Sequence, residues 1–150
     1  MSSLPSRAWS RSAWFRATVV DTLGSDVISG GNDYYLRLWS AQIELAKRIS
    51  PTSGAMFALC RASVSGHMDG RWHHLAGVNG PSGMKLYLDG VEICSNTRTE
   101  PVLYQGSAFY AGRPGADQSS HDFDGDLDEL RVYGRTLSAG EIAGLAQGGF

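Results

Sequence analysis

Three groups of residues in this 150-residue chain have types and spacings that suit chemistry. The densest is the acidic run Asp122-Phe123-Asp124-Gly125-Asp126-Leu127-Asp128-Glu129. Asp124, Asp126 and Asp128 fall on even positions, so an extended backbone puts them on one face. Carboxylates spaced along a strand can divide a glycosidase's work between nucleophile and acid/base. The second group is Tyr35, Arg37 and Trp39, with Gln42 and Glu44 on the next strand. Alternation sets Tyr35, Arg37 and Trp39 opposite Tyr34, Leu36 and Leu38, and Gln42 and Glu44 opposite Ile43 and Leu45. Aromatic planes beside hydrogen-bonding groups suit a sugar, whose C–H faces stack while its hydroxyls take polar partners. The plainer alternative is that Trp39 packs under a loop and Tyr35 covers the sheet. The third group is His73-His74. Alternation turns one imidazole inward and the other outward, so the two do not readily share a metal ion, and a structural strand position is the simpler reading for both. The sequence has no Ser-His-Asp, phosphate-loop or cysteine-nucleophile pattern.

Short strands must position these groups. Ala13–Val20 opens the series, followed by Val27–Ser29, Tyr34–Trp39, Gln42–Ala46, Ala55–Val64, Trp72–Val78, Met84–Leu88, Val91–Cys94 and Ser107–Gly112. Gly30-Gly31-Asn32-Asp33 reads as a turn, and Asp89-Gly90 as a two-residue hairpin. Arg113–Asp122 is a long polar loop, a place to look for function. In the closing strand, Phe123 and Leu127 are odd-numbered while Leu130 and Val132 are even-numbered. A bulge near Asp128-Glu129 brings both pairs inward. Ser138 and Glu141 form a capping box for one short helix over Ser138–Ala146, ended by Gly148-Gly149. Trp72 is expected to anchor its strand in the core.

The chain length fits one domain with a core that needs no cross-link. The 19 scattered glycines among short apolar runs indicate many turns and an all-β antiparallel sandwich. A net charge of −2 argues against a nucleic-acid partner, and no apolar run reaches the length for membrane insertion. The first residues, Met1 to Arg7, carry no signal-peptide core. Cys60 and Cys94 both sit in strand-like runs. Two buried free thiols are the simpler reading, and a single disulfide is the alternative.

Three blocks then stand in order: Trp72-His73-His74-Leu75-Ala76, Leu86-Tyr87-Leu88-Asp89-Gly90, and Phe123 to Tyr133 followed by Leu137-Ser138 and Glu141-Ile142. Together they resemble the laminin-G-like, concanavalin A-like jelly roll family, which includes laminin G modules and pentraxins. The match runs from about Ala13 to Leu145. The resemblance implies an all-β, antiparallel two-sheet jelly roll β-sandwich with one short C-terminal helix, forming a single domain over residues 1–150. It also implies a non-catalytic recognition module for a carbohydrate, glycoprotein or other glycoconjugate; the alternation above, if that face is the outer one, offers Tyr35, Arg37, Trp39, Gln42 and Glu44 as its ligand face. Family members are mostly extracellular. A structural or assembly module is the alternative, and a hydrolase using Asp124, Asp126 and Asp128 is the third reading. Against the last, jelly roll glucanases resemble Glu-x-Asp-x-x-Glu, whereas this run is Asp-Gly-Asp-Leu-Asp-Glu and falls on the family's closing strand.

In pentraxins, calcium is held by an Asp-Asn pair before one strand and by acids in the loop before the closing strand. The corresponding positions are Asn32 and Asp33, then Asp117 and Gln118, with Asp122 as a further donor. Calcium takes six to eight oxygen ligands of these kinds. The family also begins with a strand that this chain lacks before Ala13. The edge of the closing strand is therefore expected to be covered by the N-terminal residues or by a second copy, in a homodimer or small homo-oligomer.

Overall fold

The computed structural model describes residues 8–19, 24–30, 33–51, 56–103, 108–113 and 122–148. Among the described residues, ten strands form two five-stranded antiparallel sheets that pack as a jelly roll sandwich. The strands are β1 (Trp9–Arg16), β2 (Ser25–Ser29), β3 (Tyr34–Trp39), β4 (Gln42–Arg48), β5 (Phe57–Ser63), β6 (His73–Gly80), β7 (Gly83–Leu88), β8 (Val91–Asn96), β9 (Tyr110–Ala111) and β10 (Asp126–Tyr133). One sheet runs β10-β1-β6-β7-β8 and the other β5-β4-β3-β2-β9.

Period-two alternation builds the core. Leu36, Leu38, Ile43 and Leu45 from the second sheet meet Ala13, Phe15, Leu75, Met84, Leu86 and Leu88 from the first, all 4% exposed or less. Each large apolar side chain buried this way contributes about 1.5–3 kcal/mol. The sheets approach so closely at Gly77 that a Cβ there would lie 2.9 Å from a methyl of Leu45. Two-residue turns join neighbouring strands. Ser40 and Ala41, and Asp89 and Gly90, all have positive φ, the type I′ geometry that matches strand twist.

The expected bulge is present. Ser12 pairs with Arg131 and Trp14 with Asp128, so one extra residue of β10 is accommodated, and Glu129 has a φ of 50°. Phe123, Leu127 and Leu130 pack on the core as the bulge requires. Val132 departs from the expectation. It is 54% exposed because β10 is an edge strand with no partner beyond it among the described residues.

Helix α1 (Ala139–Ala146) starts at Ser138 with the expected capping box. The Ser138 N–H donates to Glu141 Oε2 at 2.8 Å, and the Glu141 N–H donates back to Ser138 Oγ. Ile142 is fully buried and packs with Leu137 on Ala76, Val78 and Tyr87, on the outer face of the first sheet.

Three further expectations change. The first strand begins at Trp9, four residues before Ala13. Polar residues there are satisfied by distant partners: Ser10 Oγ donates to the Arg135 carbonyl and accepts from the Leu137 N–H. The Arg11 guanidinium lies 3.4 Å from the ring centre of Tyr34 and 4.2 Å from that of Trp9. Trp72 is not core. It precedes β6, is 39% exposed and has the Arg16 guanidinium over its ring. Cys60 of β5 and Cys94 of β8 form a disulfide that ties one sheet to the other.

Candidate functional site

Strands β3, β4 and β5 present one face away from the core, and register decides what it shows. Arg37 pairs with Glu44 and Glu44 with Arg61, while Trp39 pairs with Gln42 and Gln42 with Ser63. Asp26 of β2 stands opposite Arg37. These cross-strand partners share a face, so Asp26, Arg37, Glu44 and Arg61 form a row of alternating charge across four strands.

The row is tightly bonded. Arg37 holds Asp26 through two nitrogens, with Nη2 at 3.3 Å from Oδ2. Arg61 Nε donates to Glu44 Oε2 at 2.6 Å, and its Nη2 donates to the same oxygen. The Tyr35 hydroxyl donates to Glu44 Oε1 at 2.7 Å. Burial raises the Tyr35 hydroxyl pKa, and its carboxylate acceptor raises it further. Burial opposes the charge on Arg37, but Asp26 beside it more than offsets this and raises the Arg37 pKa.

Exposure divides the five candidate ligand residues. Trp39 is 41% exposed, Gln42 is exposed, and Tyr35 and Arg37 are half-buried. Glu44 is buried, with one oxygen on Tyr35 and the other on Arg61, so it positions its neighbours. The guanidinium of Arg61 lies 5.2 Å from the Trp39 ring centre, that of Arg37 lies 4.2 Å from the Tyr35 ring centre, and Phe57 packs on Tyr35. Leu59 adds an exposed apolar side chain. The face is thus a shallow platform: an exposed indole beside guanidiniums whose positions are fixed by buried carboxylates. Asp26, Arg61, Phe57 and Leu59 belong to it but were missed in the sequence. Strands β2 and β5 carry no local sign of which strands they pair with.

Two clefts, of about 230 and 320 Å³, lie elsewhere. They flank Leu137 at the start of α1, on the outer face of the other sheet.

Of the calcium donors, Asn32, Asp117 and Gln118 lie outside the described residues. Asp33 is buried at the start of β3, its N–H donating to the Gly30 carbonyl and its carbonyl accepting from the Arg48 N–H. Asp122 is exposed. Both offer carboxylate oxygens, the donor type calcium takes. Asp124, Asp126 and Asp128 are exposed. Asp126 accepts from Arg16 Nε at 2.9 Å, and Asp128 Oδ1 accepts from the Glu129 N–H. The two histidines divide as alternation requires. His74 is buried edge-on to Trp14, where burial pushes its imidazole down to about 4, and His73 packs against Phe15.

Solved structures of the same shape include the CBM40 domain of a Ruminococcus gnavus IT-sialidase bound to α2,3-sialyllactose. It is 14% identical, with a TM-score of 0.76 over 95% of this chain and 84% of that one. A Bacteroides ovatus protein whose carbohydrate binding is a provisional assignment is 15% identical, with a TM-score of 0.72 over 95% of this chain and 42% of that one. The binding domain of botulinum neurotoxin serotype D is 16% identical, with a TM-score of 0.70 over 99% of this chain and 38% of that one. At these identities the likeness establishes the fold alone. No curated protein sequence matches the chain. The family model described as the concanavalin A-like lectin/glucanases superfamily matches residues 1–143, and the chain belongs to that superfamily.

Proposed function

We propose that the domain is a non-catalytic carbohydrate-binding module whose platform is the outer face of β3, β4 and β5. One observation carries this reading: the exposed Trp39 indole beside Arg37 and Arg61, whose guanidiniums Asp26 and Glu44 hold in place. A sugar ring stacks on the indole, and its hydroxyls meet Gln42, Arg37 and Arg61. The carbohydrate-binding domains of similar shape support it. The charge row is balanced, two carboxylates against two guanidiniums, so binding should depend little on salt. Asp126 and Asp128 are engaged with Arg16 and the β10 backbone, which favours a structural role over hydrolysis.

The test is a glycan array followed by titration of the best ligand. Trp39→Ala should weaken binding at least tenfold and leave the melting midpoint within about 3 °C, because the indole is a surface group. Unchanged affinity would remove Trp39 from the site, and unfolding would make it part of the core. Hydrolysis of a β-glucan or sialoside by the wild-type domain would revive the catalytic reading.

A calcium ion on Asn32, Asp33, Asp117, Gln118 and Asp122 is a second element of the proposal, supported by the donor chemistry and by a carboxylate buried at Asp33. Calcium added after chelation should raise the midpoint, since a ligand of the folded state stabilises it, and no shift would reject a tight site. The disulfide between the sheets supports an oxidising, extracytoplasmic setting.

A further inference from the structure

At the opposite end of the first sheet, two imidazoles converge on one carboxylate oxygen. Asp89 is the first residue of the β7–β8 turn, and its Oδ1 accepts the His74 N–H at 2.8 Å, which aims Oδ2 at the loop between β5 and β6. His73 Nδ1 lies 2.8 Å from that Oδ2, and His67 Nε2, from the loop, lies 3.7 Å from it. The two rings stand edge to face with centres 4.8 Å apart. One ligand atom from each of His67, His73 and Asp89 lies within 4.8 Å of the others, the one such trio among the described residues. Asp69 completes the arrangement: its Oδ1 is 3.0 Å from His73 Nε2 and accepts the Arg71 N–H.

We propose that His67, His73 and Asp89 form a binding site for a zinc-class divalent ion, with Asp69 as the outer carboxylate that orients His73. A proton on His73 Nε2, donated to Asp69, leaves the Nδ1 lone pair pointing at the Asp89 oxygen. Without a metal, a second proton on Nδ1 bridges to Asp89 and His73 is an imidazolium held between two carboxylates; a divalent ion would take the place of that Nδ1 proton. A metal-ligating histidine ordinarily donates its other nitrogen to a carboxylate, the role Asp69 fills. Two imidazoles and a carboxylate suit zinc and its neighbours, whereas calcium calls for a shell of oxygens. Tetrahedral zinc with bonds of about 2.0–2.1 Å separates its ligand atoms by about 3.3 Å. The 2.8 and 3.7 Å separations bracket that value, so a small rotation of the Asp89 carboxylate equalises them. His67 sits on a loop, and its Nδ1 is buried without a partner among the described residues, so the ring can swing inward with little to break. The fourth position opens to solvent at Asp89 and His67, both partly exposed. The ion would staple the β5–β6 loop to the β7–β8 turn. The sequence pattern hid this site because His67, Asp69 and His73 span a turn with no regular ligand spacing, and Asp89, 16 residues after His73, reaches them only through the β7–β8 turn.

The test uses untagged, chelator-stripped, disulfide-intact domain, so that neither a tag nor a thiol supplies ligands. Zinc is titrated against a chromophoric competitor, with magnesium and calcium as controls. One equivalent of zinc should bind at micromolar affinity or tighter and raise the melting midpoint. His67→Ala should lower affinity at least tenfold and abolish that rise, and Asp69→Asn should lower it 10- to 100-fold, as loss of an outer-shell carboxylate does. Cobalt substitution should give the intense visible bands of a tetrahedral site in the wild type and lose them in His67→Ala. Absence of zinc binding at millimolar concentration overturns the proposal. So does zinc binding that His67→Ala leaves unchanged, which would place the ion elsewhere, for example at His121.

Discussion

Breaking the Cys60–Cys94 bond should lower stability by about 4 kcal/mol without changing the fold. The bond closes a loop over a sequence separation of 34 residues. In the chain-entropy model a cross-link removes about 2.1 + 1.5R ln n cal/mol/K from the unfolded state, which for this loop is about 12.6 cal/mol/K, or roughly 3.8 kcal/mol at 25 °C. In a domain of this size each kcal/mol moves the melting midpoint by about 2–4 °C, so a fall of roughly 8–15 °C is expected. The native enclosure of the sulfurs sharpens the experiment, because Cys60 is only 2% exposed and joins β5 to β8 across the core. Two arms separate cross-link from packing: reduction of the wild type, and Cys60→Ala with Cys94→Ala. Calorimetry at several protein concentrations is the assay. A reduced protein that melts within about 2 °C of the oxidised one would refute the reasoning, because it would mean that the unfolded chain gains nothing from the loss of the link.

Three further outcomes follow from the packing. Lys47→Met should cost about 1–3 kcal/mol by chemical denaturation, because the buried Lys47 Nζ donates to Asn79 Oδ1 and the Arg98 carbonyl at 2.9 and 3.0 Å and their loss leaves two acceptors unmet; a more stable variant would show that burial of the amine costs more than its bonds return. Trp72→Ala should cost under about 2 kcal/mol, since only part of the ring and one cation–π contact with Arg16 are lost, and a loss near 4 kcal/mol would put Trp72 back in the core. Light scattering with size exclusion should give the mass of a homodimer or small oligomer if a second copy covers the edge of β10, and a strict monomer at high concentration rejects that proposal.

Periodicity and turn chemistry carried the architecture. Tyr34–Trp39 and Gln42–Glu44 alternate so cleanly that the faces of β3 and β4 could be assigned from the residues alone, and the Asp128-Glu129 bulge followed from a parity change in the apolar residues. What failed depends on contacts far along the chain. Ser10 and Arg11 look like loop residues until Arg135, Leu137 and the rings of Trp9 and Tyr34 supply their partners. Trp72 reads as core from its type, but it lies one residue before β6, where the sandwich no longer encloses it. Lys47 shows the converse, since alternation with Ile43 and Leu45 sends it inward although its charge argues otherwise. The parity won because Asn79 and the Arg98 carbonyl were waiting on the other side.

The same limit explains why half the platform was legible and half was not. Tyr35, Arg37, Trp39, Gln42 and Glu44 belong to one hairpin, whose turn at Ser40-Ala41 sets the register locally. Asp26 and Arg61 enter by sheet pairing, and these two decide what the face can do. Without Asp26, Arg37 is a flexible cation beside an aromatic ring; with it, the guanidinium is fixed. Without Arg61, Glu44 is a buried charge facing a phenol; with it, both oxygens of Glu44 are engaged and Tyr35 is locked. Rigid groups lose little freedom when a ligand arrives, so on the proposed reading this arrangement would lower the ordering cost of binding a sugar. If the face is the binding platform, removal of Glu44 would act on it through Tyr35 and Arg61, and removal of Trp39 would act on the ligand directly. Glu44→Gln should weaken binding and stability together, whereas Trp39→Ala should weaken binding alone.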